Sequence, residues 1–168
     1  MGRFFLLTAL LLAAFTVPAA LSADTPGDGT LSVKRGRGIV VLKLKGTVIG
    51  RLTSGKVQVK DFRPFDGNVP LFTGCKVMHP TISLSVCRGR KIGYRVLDGR
   101  FNVNVRGSGI SISAVGRGTV TVDGSGEDGL PDVVMSMNNQ PYESLPDDLT
   151  TLTLEAPPAG SKPLSLAS

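Results

Sequence analysis

Between Gly38 and Gly46 the chain alternates: Val40, Leu42 and Leu44 share one parity, Val41, Lys43 and Lys45 the other. Phe101, Val103 and Val105 alternate in the same way with Asn102, Asn104 and Arg106. A period of two sends successive side chains to opposite faces, so both stretches read as half-buried strands. The same pattern predicts strands near 30–34, 39–45, 47–52 and 56–60, and again near 91–96, 100–106, 109–115 and 118–123. Others are expected near 81–87 and 132–137. The stretch VRGSGISISAVGRGTVTVDG, Val105 to Gly124, carries five glycines in twenty residues. A phosphate loop needs a helix after its glycines, because the helix N-terminus holds the anion. Here Gly109 is followed by ISIS, a strand pattern, so the glycines read as turn residues.

This stretch has a counterpart earlier in the chain. Shifted by 61 residues, Leu31, Val33, Gly38, Val40, Leu42, Leu44, Lys45 and Gly46 fall on Ile92, Tyr94, Gly99, Phe101, Val103, Val105, Arg106 and Gly107. With two residues inserted, Gly55, Val57 and Val59 fall on Gly118, Val120 and Val122. The expected fold is therefore all-β: an antiparallel sandwich or compact barrel of about nine or ten strands built from two tandem repeats. Repeat one covers 30–60 and repeat two 91–123, inside a β domain of 24–146. The connector, 61–90, holds Phe62, Phe65 and Phe72 among Pro64, Pro70 and Pro80. It reads as an irregular segment plus a strand, with its aromatics plugging one end of the core. Residues 147–168 are rich in acids and proline and read as a disordered tail, the alternative being that LTTLTLE docks as an edge strand.

The N-terminal residues change the compartment. Arg3 precedes an apolar run from Phe4 to Phe15, and Pro18 and small residues follow, the layout of a signal peptide over 1–23. Cleavage is expected after Ser22 or Ala23, with a retained anchor as the rival reading. No transmembrane helix is expected in the mature chain, which is placed in the periplasm, the cell envelope or outside the cell. In such an oxidising compartment Cys75 and Cys87, the two cysteines of the chain, read as a disulfide. One histidine and no third cysteine leave a zinc site short of ligands.

Candidate chemistry is sparse. His79 is the sole histidine, in KVMHPT, without a nucleophile elbow beside it. Asp61, Asp66 and Asp98 are the acids between residues 29 and 122, each beside a glycine or a basic residue, and read as turn formers. Asp123–Asp132 imitates the start of a calcium loop, but Asp128 stands where that loop needs glycine. The chain has no Trp, which counts against stacking platforms for sugars or single strands and so against specific nucleic-acid recognition. No catalytic residue, metal or cofactor is assigned.

Charge is more informative. Residues 29–122 carry 17 Lys and Arg against 3 acids, whereas 123–168 carry 8 acids against Lys162. The alternation that turns Leu31, Val33, Val40, Leu42, Leu44, Val57 and Val59 inward turns Lys34, Lys43, Lys45, Lys56 and Lys60 outward. The matching positions of the second copy are Arg95, Asn104, Arg106, Thr119 and Asp123, a far weaker positive set. The five lysines are the candidate anion-binding face, for an anionic envelope polymer or lipid headgroups; the bland alternative is that they keep strand surfaces soluble.

GTLSVKRGRGIVVLKLKGTVIGRL, GRFNVNVRGSGISISAVGRGTVTVDG and the closing QPYESLP resemble a group of small secreted bacterial β-repeat proteins with no assigned activity. The resemblance implies the fold and the export and carries no catalytic residue. The expected function is that of an exported non-enzymatic structural or binding module, and the alternative is a secreted hydrolase-like enzyme. Thiol labelling of the unreduced, denatured protein is expected to find no free thiol; two labelled cysteines would contradict the pairing.

Overall fold

A computed structural model describes residues 27–124, 134–146 and 148–156. The predicted signal segment and most of the Asp123–Asp132 loop lie outside the described residues. The described chain is all-β, without a helix: β1 (Gly29–Asp61), β2 (Leu71–Thr81), β3 (Leu84–Asp123), β4 (Val134–Met137), β5 (Glu143–Ser144) and β6 (Thr150–Leu154). These form one antiparallel sheet in the order β2-β3-β1-β4-β5, with β6 on β3, and the sheet does not close into a barrel. There are six strands and not nine or ten, because most of the predicted breaks are bends within β1 and β3.

β1 has 33 residues, and straight it would span about 110 Å. It folds because it and β3 make a two-stranded ribbon that coils around the core. From Ile39↔Asp123 to Asp61↔Phe101 the ribbon keeps one register. It turns corners where Gly46 faces Gly116 and Gly55 faces Gly107. These four glycines have φ of +152°, +151°, +142° and +156°, a region that side chains disfavour. A Cβ at Gly46 would strike the Val115 carbonyl oxygen, and one at Gly107 would strike that of Ser54.

Past the second corner the ribbon lies beside its own beginning, where Val40 pairs with Val105 as well as Val122. Two layers result. The first runs through segments 150–154, 118–122, 39–45, 101–106, 56–60, 84–88 and 75–78. The second runs through 143–144, 134–137, 31–34, 110–115, 47–52, 92–96 and 71–73. Val40, Leu42, Phe101, Val103, Val57 and Val59 of the first layer join Leu31, Val48, Ile92, Ile110 and Ile112 of the second in one buried core. All seven residues expected to face inward are buried.

Three expectations need correction. The connector is more regular than expected: β2 pairs with β3 along its length, and Cys75 is bonded to Cys87 across that pair, at a Cα separation of 5.8 Å. β2 is an edge strand, which tolerates Pro80 and shows no clean alternation. Its neighbouring aromatics do not plug the core, since Phe65 is 82% and Phe62 51% exposed and only Phe72 packs against it. Finally, the tail is not structureless throughout. Thr150–Leu154 pairs with Gly118–Val122, and Leu154 is fully buried.

Leu154→Ala is expected to cost about 2–4 kcal/mol, the usual result of emptying a buried leucine site. A thermal midpoint lower by roughly 10 °C would check it. Truncation after Pro146 should cost at least as much, and an unchanged midpoint in either variant would contradict the docking of β6.

Candidate functional site

Directly opposed residues on adjacent strands share a face, so the register assigns every outward side chain of the first layer. Lys45 lies between Arg100 and Arg117. Two residues further, Lys43 lies between Asn102 and Thr119, and Lys60 also opposes Asn102. The next rung carries Val41, Asn104 and Gln58. After it comes a run of four cations on four successive strands: Arg106, Lys56, Arg88 and Lys76.

Of the predicted lysines, Lys43, Lys45, Lys56 and Lys60 thus share one face. Lys34 does not join them. It lies in the second layer opposite Val134, with its Nζ 3.9 Å from the centre of the Tyr142 ring. The Tyr142 phenol hydrogen-bonds Ser32 Oγ at 3.0 Å, and that bond, helped by Lys34, lowers its pKa.

The expectation that only the first copy carries a positive outer face also fails. Because the ribbon interleaves the two halves of the chain, Arg88, Arg100, Arg106 and Arg117 stand between the lysines. Alternation within each strand was legible, but which strands are neighbours was not, and neighbours decide a cluster that spans several strands.

The two cationic rungs differ in what surrounds them. At the Lys45 rung, Arg117 Nε is 2.9 Å from Asp28 Oδ1. Arg100 and Lys60 stand 5.9 and 5.5 Å from the centre of the Phe62 ring. That rung opens on a hollow of about 790 Å³ whose walls include Asp66 and Asp98. Counter-charge is built in there. The Lys56 rung faces a hollow of about 740 Å³ lined by Lys56, Arg88, Arg90, Arg106, Gln58, Asn104 and Ser54, with Gly55, Gly89 and Gly107. No carboxylate lines it among the described residues. Lys56, Arg88, Arg90 and Arg106 make no ion pair, side-chain hydrogen bond or ring contact there among those residues.

Like charges directly opposed in a sheet are destabilising by about 0.2–1 kcal/mol each. The Lys56 rung holds three such pairs in succession, and among the described residues no carboxylate pairs with them. No family model, no curated protein and no solved structure matches the chain.

The candidate catalytic groups are placed elsewhere. His79 Nδ1 shares a hydrogen bond of 3.1 Å with the buried Ser85 hydroxyl at the β2 edge, and among the described residues it makes no contact with an acid. Asp61 Oδ1 accepts from the Arg63 amide at 2.7 Å and Asp66 Oδ1 from the Asn68 amide at 2.9 Å, both local turn contacts. Asp98 sits at a positive φ of +35°. Sequence reading passed over Tyr94, whose buried hydroxyl has no hydrogen-bond partner among the described residues; burial raises its pKa far above the ordinary phenol range and keeps it neutral. No group of three or more metal-binding side chains occurs among the described residues.

Lys56→Gln removes two like-charge oppositions. It is expected to raise the thermal midpoint at low salt, by about 0.5–1 kcal/mol of stability. The gain should shrink at high salt, where surface charges are screened. A midpoint lowered at both salt levels would contradict the repulsion.

Proposed function

We propose that this protein is an exported, non-enzymatic β domain of the cell envelope or extracellular space that binds an anionic polymer through the outer face of its first layer. The observation that carries the reading is the rung Arg106–Lys56–Arg88–Lys76, four opposed cations that make no ion pair among the described residues. Export is supported by the predicted signal peptide and by the Cys75–Cys87 disulfide, which points to an oxidising compartment. Among the described residues no helix is long and apolar enough to cross a membrane.

The two-repeat reading belongs to this proposal and is supported by the corner glycines. A shift of 61 carries Gly46 onto Gly107 and Gly55 onto Gly116, so each corner glycine falls on one of the other corner. On this reading the copies match without the two-residue insertion, so Gly55 corresponds to Gly116. The resemblance to small secreted β-repeat proteins points the same way.

A secreted hydrolase is the second reading, and Asp66 and Asp98 lining one hollow is the observation in its favour. The turn contacts of Asp66 and the five cations in the same lining weigh against a carboxylate pair free to transfer protons.

Retention on an anionic polymer matrix as salt rises tests the main reading. The native chain is expected to bind at low salt and release steeply. Lys56→Gln, Arg88→Gln and Arg106→Gln together should reduce affinity at least tenfold and make the logarithmic salt dependence shallower by about 2–3, as loss of released counterions requires. Changing Arg51 and Arg95 of the second layer, with Lys91 at its margin, to Gln should have much less effect. Equal losses from the two sets would reduce the site to diffuse net charge.

A further inference from the structure

We propose that the cationic rung is a track for a linear acidic polysaccharide laid across the strands, each sugar acid meeting one strand. This rests on the reading of the face as a polyanion site and names the polymer. Hydrogen-bonded strands are a rigid ruler: neighbours lie ~4.8 Å apart, so Arg106, Lys56, Arg88 and Lys76 span about 14 Å in three equal steps. One sugar ring in an extended chain covers a distance of the same order as one such step. A polymer with a carboxylate or sulfate on each ring therefore carries one charge per strand along its axis.

The rungs on either side supply the second half of the match. Gln58 opposes Asn104 on one side, and their amides both donate and accept. On the other side Ser54 opposes Ser108, their hydroxyls hydrogen-bonded at 3.0 Å. A line of cations flanked by neutral hydrogen-bonding groups fits a chain whose anionic groups are flanked by hydroxyls. A polyphosphate would use the cations alone. Nucleic-acid single strands need faces on which to stack, and no aromatic lines this hollow. Stable seating on a bilayer takes an apolar anchor besides a basic patch, and the lining of this hollow has none.

The track has a defined length. Beyond Arg106 the rung continues to Ile39 and then to Asp123, whose carboxylate repels an anion, while beyond Lys76 the sheet ends at β2. Four charged sugars fill it.

The test is calorimetric titration of the full chain at low salt with oligogalacturonides of two to eight units, alongside polyphosphate and single-stranded DNA of equal charge. Affinity for the sugar acids is expected to rise at least tenfold up to about four units and then level off. Polyphosphate and DNA should bind at least tenfold more weakly than the tetramer. Gln58→Ala with Asn104→Ala should weaken the sugar acid about fivefold and leave polyphosphate unchanged, with circular dichroism confirming the fold. Equal binding of all three polymers, or affinity that climbs steadily to eight units, would overturn the polysaccharide assignment and leave the polyanion reading standing. Preferential uptake by anionic vesicles would overturn it in favour of lipid headgroups. Binding of none of these probes would overturn both.

Discussion

Everything in this fold depends on two glycine-against-glycine corners. A long antiparallel ribbon buries only one face, and it must be covered by something. Here the ribbon covers itself, which requires both of its strands to bend at the same place. Gly46 with Gly116, and Gly55 with Gly107, permit that by bringing backbone against backbone at positive φ. The bends carry Val48, Ile112 and Ala114 to the opposite layer, facing Leu42, Val103 and Val57 across the core. Without these corners the alternation would specify two good strands and no interior.

The same coiling creates the charged face. In an open hairpin Lys56 would meet Arg106 alone. Because β3 returns along the far side of β1, Lys56 also meets Arg88, and β2 brings Lys76 beside that. Each opposition costs a fraction of a kcal/mol. The chain accommodates this over a fully buried stretch, where Val57 and Val105 lie one position from Lys56 and Arg106, and Val59 and Val103 follow on the same buried face. A well-filled inner face therefore lets the outer face be repulsive.

Fold class and inward set were legible because they rest on parity within one strand. Leu42 and Val103 announce their direction by their immediate neighbours, and the structure agrees. Neighbourhood across strands was not legible. Nothing near Lys43 says that Asn102 lies beside it, or that Lys34 belongs to the other layer and sits over Tyr142. β2 was missed because an edge strand with Leu71 and Met78 largely exposed need not alternate. β6 was only a minor alternative because TTLTL has two large apolar residues, Leu152 and Leu154. Whether they pack depends on the edge that β3 offers at Gly118–Val122. The disulfide was legible from compartment and count alone, since neither depends on the path of the chain.

On the repeat reading, the two cationic rungs are one rung seen twice. Adding 61 to Lys45 gives Arg106, and subtracting it from Arg117 gives Lys56, so the pair Lys45↔Arg117 maps onto Arg106↔Lys56. On that reading the two places are equivalent, each with like charges facing each other. Their surroundings then differ by what lies outside the ribbon. Arg117 meets Asp28, which precedes β1, while Lys56 meets Arg88 and, past it, Lys76. One rung thus has an acid paired to one of its cations, and the other has further cations beside it. The difference between the rungs therefore lies in what the rest of the fold sets beside the ribbon, an acid ahead of β1 at one and two further cations at the other.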